Sequence, residues 1–557
     1  MNFNQYFSND QIQTLLEAWL ESYPDLVDLI QIGQSYEHRP IWLVALTNKK
    51  TGSDLDKPAL WIDANIHATE LAGSTTSLYI GDHLLSDYAK NTRVTQLLDS
   101  GVIYLVPRVN PDGAAWALAE NPRYVRSGVR FYPWEELDEG LHVQDINHDG
   151  KILQMRVVDP NGDWKISSLD PRLMEKRRPD ESGGTYYRLF PEGLLTDFDG
   201  YLLKMARTPH GLDFNRNFPF EWRPEADQQG AGPYPASEPE VRALVDFIAK
   251  HPNINIAISF HTFSRVILRP YSTKSDDEMP TDDLWVFKKM GEIGTQLTGY
   301  RNVSTFHDFK YHQKEVTTGA FDDWMYDHFG AFTFTIELWD LPTEAGIKDR
   351  KFIDWWRDHP HEEDQQILKW IDQNAPGDAY ADWTPFQHPQ LGQVELGGWY
   401  NLYTWRNPPH KFMEAEASRH YPYILSLANL LPRLHIHTLK STALGDGTYS
   451  LHLVVENSGF LPSYTSQQAR KRTIVRPLHV ELELPEQCRI VTGKRRSEFG
   501  YLEGRSNKLD VSALGASSPM DNRARLEWTL QAPAGKCIIL HIIGDRAGKL
   551  TIEHMLD

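Results

Sequence analysis

The chain has 557 residues, more than one hydrophobic core ordinarily serves, so two or three domains are expected. Its 40% hydrophobic and 24% charged residues suit a soluble globular protein, and a net charge of −19 argues against a nucleic-acid partner, which needs a basic surface. No run of about 18 apolar residues occurs, so no membrane span and no signal peptide are expected; cytoplasmic residence is the default, with export by other routes left open.

Ser8 and Gln11 form a capping-box pattern ahead of Ile12, Leu15, Leu16 and Trp19, which predicts an amphipathic helix stopped at Pro24. Strands are predicted at 26–32, 41–46 and 59–66; the last is nearly all apolar, as a strand buried on both faces should be. A helix follows from about Glu70. Further buried strands are read at 102–106, 254–260 and 331–338, and Ser237 is read as the cap of a helix running through Val241, Leu244, Val245 and Ile248. Strands alternating with helices predict an α/β fold, with a mixed, mostly parallel sheet flanked by helices. In such sheets functional residues collect at the carboxyl ends of strands.

Residues 131–210 are polar and rich in Gly, Pro and Asp, and read as a surface insertion. Residues 345–430 read as an extension with two helices around an irregular aromatic stretch. From 431 to 557 short strands at 435–439, 449–456, 479–484, 526–530, 538–543 and 550–554, parted by Gly, Asn and Asp turns, predict an all-β sandwich. The predicted boundaries are therefore 1–430 and 431–557. Cys488 and Cys537 are expected as two buried thiols rather than a disulfide. The clusters Arg470-Lys471-Arg472 and Lys494-Arg495-Arg496 read as solvated loops.

Two motifs carry the chemistry: Asn65-Ile66-His67-Ala68-Thr69-Glu70, and Ser259-Phe260-His261-Thr262-Phe263. His67 and Glu70, three residues apart at a strand-to-helix turn, can aim at one point, and His261 can supply a second nitrogen. Two imidazoles and a carboxylate hold one Zn²⁺ with a position left for water, the catalytic rather than the structural arrangement. Each piece alone is common by chance; together they predict hydrolysis. Glu337 ends the apolar strand Thr333-Phe334-Thr335-Ile336-Glu337-Leu338. An unpaired buried carboxylate is costly, so Glu337 is either catalytic or part of a buried ion pair. Asp145, Asn147 and Asp149 form a D-x-N-x-D-G pattern that suits Ca²⁺. Position twelve, however, is Arg156 rather than glutamate, with Asp159 further on; the alternative is an Asx-rich turn without an ion.

With these motifs in this order, the sequence resembles the zinc carboxypeptidase family, the metallocarboxypeptidases typified by carboxypeptidase A, from about residue 5 to residue 340. The resemblance implies one Zn²⁺ held by His67, Glu70 and His261, with Asp213 orienting His67. It implies that Asn215 and Arg216, in Gly211-Leu212-Asp213-Phe214-Asn215-Arg216-Asn217-Phe218, clamp a substrate's terminal carboxylate, to which a guanidinium fork is suited. Glu337 becomes the general base. Arg126, in Asn121-Pro122-Arg123-Tyr124-Val125-Arg126, becomes the oxyanion-stabilising cation, with Arg123 and Arg130 as nearby alternatives. Three positions depart from the family pattern. Glu315 stands where the digestive enzymes keep a mobile tyrosine, with Tyr311 close by. Thr69 stands where an arginine often precedes the zinc glutamate. Asp322 occupies the place that carries an aspartate in members selective for basic side chains, which implies a Lys, Arg or diamino-acid preference unless it faces solvent. The implied activity is promoted-water hydrolysis of a C-terminal peptide bond in a peptide or peptide-like substrate with a free carboxylate. The alternatives are an amidohydrolase acting on N-acyl amino acids, a peptidoglycan-peptide hydrolase, and a non-catalytic peptide-binding relative.

Overall fold

The apolar runs become the middle of one large sheet. A computed structural model describes every residue except Tyr311, Gln313, Asp349, residues 507–519 and Asp557. Its main sheet has eight strands in the order Val27–Gln34, Pro40–Leu46, Val102–Val106, Ala59–Ala64, Ile254–Thr262, Phe332–Leu338, Val266–Arg269, Arg301–Ser304. The four central strands from Val102–Val106 to Phe332–Leu338 run parallel to one another. Antiparallel pairs extend the sheet on both sides, and the last strand, Arg301–Ser304, pairs parallel with Val266–Arg269.

Side chains alternate across a strand, and the register shows which share a face. Trp61 points to Phe247 of the helix Pro239–Ala249. Ala64 and Phe260 point the other way, to the helix Ala72–Asp87. That helix lies so close that a Cβ on Gly73 would sit 3.0 Å from the Phe260 carbonyl oxygen and 3.1 Å from the Ala64 Cβ. Asp63, Ser259, His261 and Glu337 share the Trp61 face, since Asp63 pairs with Ser259 and His261 with Glu337.

Several expectations change. Ser237 is not a cap: the helix begins after Glu238 with Pro239 in its first turn, and the Ser237 hydroxyl donates to Glu238 Oε1 instead. The aromatic stretch in 345–430 is not irregular, and the 131–210 insertion carries strands of its own. Tyr380–His388 and Gly392–Trp399 from the former join Gln154–Val158, Tyr187–Pro191, Trp164–Ile166 and Met174–Lys176 from the latter in a six-stranded sheet. Arg156 forks onto Glu395 across that junction, at 2.8 and 3.1 Å. Arg470-Lys471-Arg472 is exposed, as expected, but it is not a loop. Arg470 and Lys471 end a short helix, Gln467–Lys471, and Arg472 reaches back to Asp327 of the main-sheet unit.

The chain beyond Leu431 forms two four-stranded sheets. Thr448–Asn457 buries every second residue. Leu451, Leu453 and Trp528 of one sheet share a core with Val480, Ile538 and Leu540 of the other, as in a β-sandwich. This unit is tied to the main sheet: Asn255 donates to the Arg546 carbonyl, and the Ser466 hydroxyl donates to the Gly330 carbonyl. Cys488 and Cys537 are free thiols, half-buried rather than fully buried. Among the described residues no helix is long and apolar enough to cross a membrane.

Candidate metal centre and cleft

Parallel pairing sets His261 and Glu337 side by side at the carboxyl ends of their strands, and the turn after Ala64 delivers His67 and Glu70. Asn65 takes a left-handed φ of 59° in that turn, a conformation Asn tolerates better than most residues. Its side-chain amide donates to the His67 carbonyl. His67 Nδ1 lies 2.9 Å from Glu70 Oε1 and 3.1 Å from His261 Nδ1, which is itself 3.2 Å from Glu70 Oε2. Among the described residues this is the single group of three or more His, Cys, Asp or Glu side chains gathered closely enough to hold a metal ion.

The hydrogen bonds behind the two imidazoles decide their tautomers. His67 Nε2 donates to Asp213 Oδ1 at 3.2 Å. Asp213 is held well below the usual carboxylate range: burial opposes ionisation, but Arg126, Arg216 and His67 outweigh it. On the other side the Ser259 hydroxyl donates to Asp63 Oδ1 at 2.6 Å, so it accepts from His261 Nε2 at 3.2 Å. Asp63 also accepts from Trp61 Nε1, and burial pushes it up to about 6 against those two hydrogen bonds. Both Nδ1 atoms therefore carry lone pairs, and they face each other and a carboxylate. Burial raises the Glu70 carboxyl, but His67, His261 and Arg126 hold it well below its ordinary value. Two nitrogen lone pairs and an anion pointed at one spot are a donor set that fits a zinc ion.

Arg126 donates from Nη1 to Glu70 and from Nε to Asp213. The two other candidate arginines are elsewhere: Arg123 stacks over Trp116, and Arg130 is paired with Glu238. Part of Glu337 opens onto the cleft, yet its Oε2 is buried without a hydrogen-bond partner. Burial and the charge of Glu70 push its carboxyl up to about 8, against His261, Arg126 and Arg406. Asn215, Arg216, Asp322 and Glu337 line one hollow together with His67 and His261. Asp322 does not face solvent; it is buried, and burial raises its pKa against its neighbour's main-chain N–H, His261 and Arg216. Glu315 is exposed, and Tyr311 lies outside the described residues.

The calcium-like loop closes on itself. Asp145 accepts from the main-chain N–H of His148 and Gly150, Asn147 from Asp149, and Asp149 from Lys151. Arg156 and Asp159 are engaged with Glu395 and Arg188. Asx turns account for these side chains without an ion.

Sequence analysis passes over Asp63 and Ser259, which orient His261, and Arg406, which donates to Thr69 Oγ1 beside the metal ligands. An acid inside an otherwise all-apolar strand was the available signal for Asp63. Arg406 sits in a loop 337 residues from Thr69, and no sequence signal marks it.

A centre of this kind within a mixed α/β sheet defines a metal-dependent hydrolase. The chain belongs to the zinc carboxypeptidase family, whose model matches residues 12–355, and it is a metallocarboxypeptidase. It is 24% identical over 381 residues to carboxypeptidase A2 of Mus musculus, covering 65% of this chain and 72% of the relative. It is 26% identical over 384 residues to carboxypeptidase A2 of Rattus norvegicus, with the same coverage. A crystal structure of thrombin activatable fibrinolysis inhibitor superposes with a TM-score of 0.43 at 20% identity, over 76% of this chain and 74% of that one. Residues 433–555 match a second model, a domain of unknown function (DUF8731).

Proposed function

We propose that the protein removes the C-terminal residue from peptides with a free terminal carboxylate, with Glu337 as general base, in a catalytic unit of residues 1–430 to which 431–557 add an accessory sandwich. One observation carries this reading: an unpartnered buried carboxylate oxygen of Glu337 lies in register with His261, beside the metal donor set. Bound zinc supplies a Lewis acid that polarises the scissile carbonyl and acidifies water. Glu337 takes the proton of the attacking water and returns it to the departing amine nitrogen. Arg126, held by Glu70 and Asp213, stabilises the negative charge that develops on the carbonyl oxygen. Asn215 and Arg216 hold the terminal carboxylate, and buried Asp322 in the same hollow favours a cationic terminal side chain.

The test is release of single residues from peptides differing only in their last position, followed by mass spectrometry on the zinc-loaded protein. Lysine or arginine is expected to leave faster than leucine, and Asp322→Ala is expected to erase that difference. If N-acyl amino acids are cleaved and peptides are not, the peptidase reading fails. If Asp322→Ala leaves the lysine-to-leucine ratio intact, the assignment of the terminal pocket fails.

A further inference from the structure

Glu337 and Arg126 are walls shared by two hollows. The first holds Asn215, Arg216 and Asp322. The second, about 400 Å³ in volume, is lined by Glu70, Phe263, Trp356, Arg357 and Arg406 among others. On the reading above, the terminal residue occupies the first hollow and the scissile bond lies at Glu337. The acyl portion of the peptide then runs through the second.

The second hollow has a charge of its own. Among the described residues its acids are Glu70 and Glu337, both committed to the metal and the chemistry, and its other ionisable lining is basic: Arg126, His312, Arg357 and Arg406. Arg406 is firmly placed. Its Nη1 donates to Thr69 Oγ1 at 2.9 Å. The next residue, Asn407, donates to the Thr69 carbonyl at 2.8 Å and accepts from the Ala72 main-chain N–H at 2.9 Å. This pins the loop to the start of the helix that follows Glu70. Arg357 ends the helix Phe352–Arg357, 3.7 Å from exposed Asp354 and 3.3 Å from His312 Nδ1. In the same hollow Trp356 stands edge-on to Phe263 and to Trp405, with ring centroids 5.4 and 5.3 Å apart. Trp356, Arg357 and Arg406 all lie past residue 355, where the family match ends.

We infer that the second hollow selects a peptide with a glutamate or aspartate side chain in one of the two residues immediately before the scissile bond. Guanidinium groups bind a carboxylate with charge-assisted hydrogen bonds and reject a cation in the same place. This rests on the activity proposed above.

The experiment uses acetylated tetrapeptides that share the terminal residue released best and carry Glu, Gln or Lys at either of the two preceding positions. At one of them Glu is expected to exceed Gln by about tenfold in kcat/KM, with Lys slower still. Raising the salt from about 50 mM to about 500 mM is expected to shrink the Glu-to-Gln ratio several-fold by screening. Arg406→Gln should bring the ratio close to one, and Arg357→Gln should lower it less. A wild-type ratio within twofold at both positions, unmoved by salt, overturns the inference. Should Arg406→Gln not fold, the salt series on the unaltered protein still decides. Should no peptide be hydrolysed, the activity reading fails separately. Calorimetric binding of the same Glu and Gln peptides to the zinc-loaded protein, with about tenfold tighter binding expected for Glu, then decides the inference alone.

Discussion

Two groups of buried polar side chains behave differently. At the seam between the main sheet and the C-terminal sandwich, acceptors meet donors. Asp283 accepts from the main-chain N–H of Gln467 and Gln468 and from the Tyr326 hydroxyl. Asn255 bridges Thr465 and the Arg546 carbonyl. Arg546 is the exception, with Nε and Nη1 unmet and burial lowering its pKa to about 9. At the carboxyl ends of the central strands the outer hydrogen bonds are complete, but the inner atoms are not. Two imidazole lone pairs and a carboxylate face one another, and Glu337 Oε2 has no partner. An unmet buried polar group costs about 1–3 kcal/mol. The seam's network closes on itself and holds two units together; the site's network stays open until a cation and a substrate complete it.

The sharpest way to break this comparison is to change the open member of the site. Glu337→Gln keeps the shape and leaves the metal ligands alone. It is expected to keep its zinc by elemental analysis while kcat falls by about 10²–10⁴-fold or more. A variant with full turnover would mean that the unmet oxygen is an accident of packing.

The second largest effect separates two kinds of unmet group. His420, on the helix His410–Ala428, has both ring nitrogens buried without a partner. It points at aromatic rings, 5.6 Å from Phe260 and 5.0 Å from Tyr300, and not into a hollow. Burial and the charges of Arg419 and Arg265 lower its pKa from 6.5 to about 3. The unfolded chain therefore binds a proton between those values and the folded chain does not, so stability is lost as pH falls from about 6.5 toward about 3. The full shift corresponds to roughly 3–5 kcal/mol at the acid end. His420→Leu should flatten that part of the curve of unfolding midpoint against pH while leaving zinc content unchanged. An unaltered curve would assign the acid sensitivity elsewhere.

How much of this was legible in the sequence follows from the range of each interaction. The strands through Leu60, Ile258 and Phe334 are continuous apolar runs, and both the α/β class and the metal motifs can be read from them. That His261 and Glu337 would be register partners cannot be read, because parallel neighbours are never adjacent in sequence. The six-stranded sheet is invisible as one sheet because only one pairing joins its two halves, Gln154–Val158 with Gly392–Trp399, and there Arg156 and Glu395 are 239 residues apart. The helix Thr281–Thr298 was not predicted. It carries Gly291 and Gly294 on its packed side, residues that weaken a helix locally. A Cβ at Gly291 would come within 2.1 Å of the Asn302 side chain, which would have to move aside.

A third test weighs the support behind a ligand. Asp63 touches no substrate and no metal donor atom; it holds Ser259, which holds His261. Asp63→Asn can present its amide to Ser259, which would turn the hydroxyl's donation toward His261 Nε2 and favour the wrong tautomer. Zinc affinity is expected to fall by about 10–100-fold in competition with a chelator. Asp213→Asn should fall in the same range through His67. If Asp63→Asn binds zinc as the wild type does, the relay behind His261 is structural only.

The smallest effect belongs to the seam. Arg472 reaches across it to Asp327, whose side chain is 3% exposed while that of Arg472 is 46% exposed. Asp327 keeps two other partners, the Tyr271 hydroxyl at 2.9 Å and Lys274 Nζ at 3.5 Å. Removing the arginine takes the donor from Asp327 Oδ1, while Oδ2 keeps both of its own, and the place left by a half-exposed guanidinium is one that water can take. The expected loss for Arg472→Ala is less than about 1 kcal/mol, and smaller still in high salt. A buried acid deprived of its essential partner would instead cost about 3–5 kcal/mol. Thermal unfolding of the variant at low and high salt distinguishes the two. A large, salt-insensitive loss would mean that the seam also contains an open network, and that closure is not what divides it from the site.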